Sequence, residues 1–392
     1  MDWIEEYEKW KQFDDLDSGI RHQLKVFERD LSELEDCFDQ TITFDQVGMC
    51  GEIGPGPNRI NIYTIRKAAE GLARYMEAQS IYHRVRGVVI AYDSRFRSTE
   101  FALEVVKTLG IHGIPVYLFD RLRPVPLLNF AIRYLHAYAG VMITAGQHTA
   151  EYNGFRVYGP DGENLSDEEA GLLIYKVNQV KEQLAIKIAD KDELLHLKLL
   201  KILHDNELER AYMMELKKIT GKAELIQAYH DLCIVYTPLH GAGNSLVRNC
   251  FDSIGFTNVH VVVEQELADP TFSTVTCLNP EDIEAYTLAI EYGARLDAAI
   301  LFATDPDVNQ VGVAVKNCED IYQVLTKTER NALLLDYLNN IVNMPLNSGQ
   351  EFLKARDAVQ ICMLLAEVAV YYKSKAMTLF EGLLEITEKS GG

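Results

Sequence analysis

Two short segments of the chain hold residues whose types and spacing could do chemistry. Asp305-Pro306-Asp307-Val308-Asn309-Gln310 sets two carboxylates and an amide at alternate positions, where side-chain oxygens can converge on a hard cation. Unaided, D-x-D-x-N reads at least as well as a turn with solvated acids. Residues 144–158, T-A-G-Q-H-T-A-E-Y-N-G-F-R-V-Y, form a polar stretch leaving an apolar run. By itself it reads as a solvated loop and hairpin before it reads as a site, because strand-end loops are common and function is not. Arg95, Arg97, Arg121 and Arg123 gather near the ends of apolar runs, a grouping open either to residual anion binding or to a plain solvated face.

The elements that must position these segments are legible from apolar periodicity. Helices are predicted over 3–10 and 18–31, and a Gly- and Pro-rich loop over 48–61. A helix over 62–76 leads to a short buried strand over 87–92. Helix 98–110, strand 114–119, helix 126–136 and strand 139–144 complete an α/β unit with a largely parallel sheet. In such sheets ligands sit beyond the carboxyl ends of the strands, which points to 93–97 and 144–154. Residues 165–230 read as a helical connection. Strands over 232–237, 259–263 and 296–303, with a helix over 280–292, make a second unit of similar plan. After Lys316 three helical stretches, 328–342, 355–372 and 377–388, follow with hardly a strand among them. Ala358, Ile361, Leu364, Leu365 and Val368 make an apolar stripe that needs a partner surface.

Composition narrows the class. The 392 residues are 48% hydrophobic, too much for a disordered chain and too long for one ordinary core. Lys and Arg total 38 against 58 Asp and Glu, a net charge of −20 that repels polyanions and anionic membrane surfaces. The chain is predicted to have no secretory or membrane address and no nucleic-acid or membrane partner, and to be cytoplasmic. Seven scattered cysteines without metal-ligand spacing read as reduced thiols, mostly filling the core.

Taken together, the segments resemble the α-D-phosphohexomutase superfamily, the phosphoglucomutases and phosphomannomutases, and most of all the bacterial phosphoglucomutase group that includes phosphopentomutase-type enzymes. The resemblance rests on Asn58 through Ala73, Tyr92-Asp93-Ser94-Arg95, Glu151-Tyr152-Asn153-Gly154, Thr237-Pro238-Leu239-His240-Gly241, Ala303-Thr304-Asp305-Pro306-Asp307 and Tyr371-Tyr372-Lys373-Ser374-Lys375. It implies an α/β fold of two consecutive mixed or parallel α/β/α domains, 1–205 and 206–320, with 321–392 a truncated helical remnant of a third domain and a fourth absent. It also implies intramolecular phosphoryl transfer between the 1-phosphate and the 6- or 5-phosphate of a hexose or pentose. Such enzymes use a phosphoserine, Mg²⁺, a proton-transfer group and cations that hold the sugar phosphate.

At nearly every one of those positions this chain departs. Gly146 stands where the phosphorylated serine belongs, and glycine has no oxygen to carry a phosphoryl group. The family lysine is Arg156, which keeps the charge but cannot act as a general base. Asp305 and Asp307 remain in the metal loop, while its third aspartate is Asn309 and its arginine Gln310; Mg²⁺ is expected to bind weakly or not at all. Cys50 replaces an arginine of the amino-terminal loop, and Asp45 is a new acid expected to face an incoming phosphate. Residues 347–351 join the helical stretch 331–342 directly to 356–359, leaving out the family's sugar loop.

The expectation is a phosphosugar-mutase relative that is catalytically inactive or severely impaired, with weak affinity at most for a phosphorylated sugar. The phosphate-facing positions are Arg95, Gln310 and Cys50. Two alternatives stand beside it: turnover through a substitute nucleophile such as His148, and a decayed product without function. The stripe over 358–368 is expected to pack on neighbouring helices, on the second domain or on another chain, which leaves room for self-association through an exposed helical remnant.

Overall fold

Val88–Tyr92 and Ala139–Ile143 are short apolar runs buried along their whole length, as central strands of a parallel sheet covered on both faces must be. The structure, a computed structural model, describes residues 3–204, 206–219, 221–341 and 357–390. It divides into two units, Met1–Arg123 with Leu128–Asp205, and Pro124–Leu127 with Asn206–Gly392.

In the first unit the strands are β1 (Gly48–Glu52), β2 (Val88–Tyr92), β3 (Val116–Phe119), β4 (Ala139–Ile143), β5 (Tyr152–Tyr158) and β6 (Leu200–Leu203), in the order β1-β5-β4-β2-β3-β6. β4, β2, β3 and β6 run parallel, while β5 is antiparallel to both β1 and β4. Helices α1 (Trp3–Lys11), α2 (Ser18–Phe27) and α3 (Leu31–Phe38) precede the sheet and close on Trp10, whose fully buried ring meets Phe38 and Tyr63 edge-on. Three further helices are α4 (Ile62–Gln79), α5 (Ile81–Arg86) and α6 (Ser98–Ile111), and two more are α7 (Val125–Tyr134) and α8 (Asp167–Asn178). A ninth, α9 (Lys191–His196), is short. α4 begins at Asn61, fully buried, whose carboxamide oxygen caps the N–H groups of Tyr63 and Thr64. Its Nδ2 donates to the carbonyls of Gly54 and Gly56, so one side chain sets both the helix start and the glycine-rich loop before it.

Two predictions about this unit need correction. The 48–61 loop opens with a strand, β1, which pairs with β5 from Gly48↔Arg156 to Glu52↔Tyr152. The 165–230 segment contains β6, a four-residue edge strand beside β3. Of the seven cysteines, all free, only Cys37, Cys250 and Cys362 are buried, so core filling accounts for three of them.

The second unit is built on β7 (Ile234–Thr237), β8 (Val259–Val261), β9 (Ile300–Thr304), β10 (Val311–Lys316) and β11 (Tyr322–Val324), ordered β11-β10-β9-β7-β8. The last two strands are antiparallel additions, one of them within the region after Lys316 that reads as helical. Its helices are α10 (Asn206–Lys217), α11 (Ala223–Ala228), α12 (Asn244–Ile254), α13 (Val263–Glu266), α14 (Thr287–Leu296), α15 (Lys327–Asp336), α16 (Ala358–Ser374) and α17 (Leu379–Ser390). The junction 347–351 and the start of the helix predicted from Ala355 lie outside the described residues.

α16 is apolar nearly all round, and it is buried accordingly, against β9, β10, α11, α12, α15 and α17. Its stripe is therefore largely covered within its own unit, with Ile361 partly exposed. Two carboxylates fasten the helix. Asp357 caps it through the N–H of Gln360 and accepts the Tyr212 hydroxyl at 2.7 and 2.9 Å. Glu367, with no exposed surface, accepts the N–H groups of Gly221 and Lys222 ahead of α11, and burial raises its pKa. Among the described residues no helix is long and apolar enough to cross a membrane.

Gly71 of α4 faces α8 so closely that a β-carbon there would lie 2.4 Å from Val177 Cγ2 and 2.7 Å from its Cα. Gly71→Ala gains up to about 1 kcal/mol of helix propensity but forces two helices apart, a cost of about 1–3 kcal/mol. Net destabilisation is expected, read as a lower midpoint in urea. His112, just past α6, is gripped by α4: Nε2 lies 2.8 Å from Glu70 and Nδ1 3.0 Å from Glu77. The Glu70 hydrogen bond raises the His112 pKa above its ordinary 6.5, and His112 lowers that of Glu70 below 4.5. The histidine's contribution is full below 6.5 and is lost as pH rises through its raised value. Glu70's is full above 4.5 and is lost as pH falls through its depressed value. The clasp is thus strongest between those two limits. Thermal stability should decline from about pH 6 to 8 in the unmodified chain, and this slope should flatten in His112→Gln.

Candidate functional site

At the carboxyl ends of β2 and β4 a buried carboxylate organises the backbone. Asp93 accepts the N–H of Arg95 at 3.0 Å and the hydroxyls of Ser98 at 2.9 Å and Thr144 at 2.7 Å. The side chain of Arg95 has no exposed surface. Its two Nη atoms donate to the carbonyls of Gly146 at 2.7 Å, His148 at 2.5 Å, Thr149 at 2.6 Å and Tyr152 at 3.0 Å. Its Nε stands 3.4 Å from Asp93. The expectation that Arg95 holds a phosphate is therefore replaced: this guanidinium is spent on the loop's own backbone, and Arg95 is a positioning residue. Asn153, also buried, donates to the Phe96 carbonyl and the Ser98 hydroxyl and so ties β5 to the same turn. Arg97, grouped with it by sequence, pairs with Glu100 through two 2.6 Å contacts.

Within the loop so held, Gly146 has φ +58°, and its N–H donates to Thr144 Oγ1 at 2.9 Å. A β-carbon at Gly146 would lie 2.8 Å from Nη2 of Arg156. That guanidinium, projecting from β5, reaches over the space a side chain at position 146 would enter. His148 stacks on Tyr152, 4.9 Å between ring centres. Partial burial lowers its pKa, and the charges of Arg95 and Arg156 add to the effect, so its imidazole is neutral at physiological pH. Cys50, opposite Gly154 in the β1–β5 ladder, is pushed the other way: the residue is exposed, but partial desolvation of its thiol raises the pKa, although Arg156 and Arg95 pull against it. It is a protonated thiol and a poor nucleophile. Asp45 does not wait for a phosphate, because its Oδ1 accepts the N–H groups of Val47 and Gly48 and closes a turn.

The second unit carries the acidic loop. Asp305 accepts the Gln310 N–H at 2.8 Å and Asp307 that of Asn309 at 3.2 Å, so each buried carboxylate uses one oxygen on its own loop. Val308 sits between them at φ +59°, an unusual conformation for a β-branched residue. The turn after β7 supports this loop: Ala242 N–H donates to the Pro306 carbonyl at 2.8 Å, and a β-carbon on Gly241 would lie 2.5 Å from Pro306 Cα. His240 organises that turn through the Leu267 carbonyl and the Thr274 hydroxyl, both at 2.8 Å. Two carboxylates and the amide of Asn309 are the oxygen ligands this loop offers a hard cation, and among the described residues there is no group of three His, Cys, Asp or Glu side chains that could hold a metal ion. Asp305, Asp307 and Asn309 are the residues that would hold the cation the family resemblance implies, with one carboxylate fewer than that resemblance leads one to expect.

Sequence reasoning found Gly146, His148, Arg156 and Cys50 around one loop, and Asp305, Asp307, Asn309 and Gln310 in another. It missed Asp93 and Asn153 as organisers, although a D-S-R triplet directly after an apolar strand is a usable signal. Residues 41–184 match phosphoglucomutase/phosphomannomutase α/β/α domain I, and 210–318 match domain II. The phosphoglucomutase of Staphylococcus haemolyticus is 35% identical over 314 residues, 80% of this chain and 56% of that protein. That of Staphylococcus aureus is 35% identical over 325 residues, covering 82% and 56%. The chain thus spans about half the length of these relatives. Among solved structures, a putative phosphomannomutase from Thermus thermophilus aligns over 90% of this chain and 84% of its own, with a TM-score of 0.69 and 21% identity. A phosphoglucomutase/phosphomannomutase family protein from Burkholderia thailandensis aligns over 76% and 58%, with a TM-score of 0.56 and 18% identity. These two likenesses are of fold.

Replacing Arg95 with Lys keeps the charge but cannot reach four carbonyls with one ammonium. Arg95→Lys should destabilise the first unit by about 3 kcal/mol, since each buried carbonyl left unpaired costs about 1–3 kcal/mol. Urea unfolding measures the loss, and limited proteolysis should show new cleavage within residues 144–152.

Proposed function

Because the chain belongs to the phosphoglucomutase/phosphomannomutase family, we propose that it is a phosphosugar-mutase-fold protein without mutase turnover, keeping at most weak affinity for a phosphorylated sugar. One observation carries this reading. Gly146 has no side-chain oxygen to form and release a P–O bond, and the space a side chain would enter is met by the Arg156 guanidinium at 2.8 Å. The neighbouring changes point the same way: Arg156 cannot take up a proton at neutral pH, and the acidic loop lacks its third carboxylate. On this reading Mg²⁺ is weakly held or absent. The net charge of −20 supports a cytoplasmic protein that avoids nucleic acid and anionic membranes.

A second reading has one observation in its favour. The depressed pKa of His148 leaves an unprotonated ring nitrogen in the loop, and a neutral imidazole can accept a phosphoryl group from a sugar bisphosphate, forming a P–N bond as the P–O bond breaks.

Conversion of glucose 1-phosphate to glucose 6-phosphate, assayed with a bisphosphate activator and Mg²⁺, separates the two. Background activity is expected for the unmodified chain. Gly146→Ser alone should also stay at background, because φ +58° strains any residue bearing a β-carbon and the acidic loop still lacks its third carboxylate. Turnover by the unmodified chain that disappears in His148→Ala would overturn the non-catalytic reading.

A further inference from the structure

β6 closes one edge of the first sheet, and its register shows which of its backbone groups have no partner. Val116 N–H donates to the Leu199 carbonyl and Asp120 N–H to the Leu203 carbonyl, the two ends of a parallel ladder that sets Val116 beside Leu200. Alternate residues of a parallel strand face the same neighbour, so Leu199, Lys201 and Leu203 are the ones bonded to β3. Leu200 and Ile202 turn their N–H and C=O groups outward, where they meet no hydrogen-bond partner among the described residues. Backbone groups buried without partners are rare, so this edge is one that water satisfies.

A free edge invites a further strand, and a lysine placed on it is a common guard against pairing with a like strand. Lys201, in the middle of β6, is exposed and forms no ion pair among the described residues, and the same holds for Lys198 just ahead of the strand. Asp120, which follows β3, is already engaged, by His204 at 3.1 Å and Arg121 at 3.7 Å. An antiparallel second copy of β6 with Leu200 opposite Ile202 would set Lys201 against its own counterpart, in the non-hydrogen-bonded position where side chains approach most closely. Self-pairing is thus disfavoured by charge. A segment with a carboxylate at that position would meet an unpaired ammonium instead, and because salt screens charges over about 8 Å, the two lysines count for more there than the distant net charge of −20. β8, the corresponding edge of the second sheet, is V-H-V and carries no Lys, Arg, Asp or Glu to select an occupant.

We propose that β6 is a docking edge for an extended acidic segment of another protein, which adds as a strand beside Leu200 and Ile202 and sets a carboxylate opposite Lys201. Main-chain hydrogen bonds supply the attachment and the lysine supplies the choice of partner. The inference does not depend on whether the chain turns over a sugar phosphate.

Two fluorescein-labelled peptides, T-V-E-V-T and T-V-K-V-T, are the probes, followed by anisotropy as the full-length chain is titrated in. Saturable binding of the glutamate peptide is expected, with the lysine peptide weaker by about tenfold. Lys201→Glu, a change at an exposed position, should reverse that order. Ile202→Pro removes an outward N–H that β3 does not use and should abolish binding of both peptides, with the melting temperature as the check on folding; if that variant unfolds, the Lys201→Glu reversal decides alone. No saturable binding of the glutamate peptide, equal affinity for the two peptides, an order that Lys201→Glu leaves unchanged, or binding that survives Ile202→Pro would each overturn the proposal. So would a dimer of the unmodified chain that Ile202→Pro dissociates, since the edge would then belong to a second copy.

Discussion

A guanidinium buried without access to water must be hydrogen-bonded on its own terms, and Arg95 meets that constraint with four carbonyls of one short loop and the carboxylate of Asp93. The requirement works in both directions. The carbonyls of Gly146, His148, Thr149 and Tyr152 point inward because the cation is there, and the backbone between them cannot relax without stranding a buried charge. Asp93 in turn fixes the turn into α6 through Ser98 and the end of β4 through Thr144. The loop's shape thus depends on groups that take no part in phosphoryl chemistry. A glycine at position 146 offers no reactive oxygen, and nothing that holds the loop depends on a side chain there.

The second unit depends on a comparable arrangement around α16. A helix apolar on every side gains its stability only by being covered, and here the cover comes from two strands and four helices of its own unit. Burial alone would not fix its axial position, because apolar contacts are non-directional. Asp357 and Glu367 supply direction, one at the amino end and one deeper in the helix, by accepting a hydroxyl and two backbone N–H groups from elements distant in sequence. α16, within the stretch that the family resemblance marks as a remnant, is packed into the core of the second unit.

What the sequence made legible follows the strength of the local pattern. The parallel strands over 88–92 and 139–143 are continuous apolar runs, and α4 and α16 carry long apolar repeats, so their place is plain from periodicity. β1 was hidden because G-M-C-G-E has no apolar alternation and becomes a strand only through pairing with β5. β6 and β11 are edge strands of four and three residues, too short to show a pattern and stabilised by pairing, β6 with the distant β3 and β11 with the preceding β10. The site divides the same way. Which residues are absent from the reactive positions can be read from one-letter codes; that Arg95 is consumed by its own loop, and that Arg156 leans over Gly146, depends on side-chain directions no spacing encodes.

The acidic loop of the second unit extends the argument. Val308 holds a left-handed backbone conformation that costs a β-branched residue about 1–2 kcal/mol, and a loop free to relax would abandon it. The surroundings do not permit that. Pro306 is wedged against Gly241, its carbonyl is bound by Ala242, and Asp305 and Asp307 each hold an N–H further along the turn. The aspartates serve here as hydrogen-bond acceptors that shape the loop, whether or not a cation is near. A D-P-D sequence can therefore persist for backbone reasons after its third carboxylate is gone, and its presence in a sequence attests to a turn before it attests to a metal.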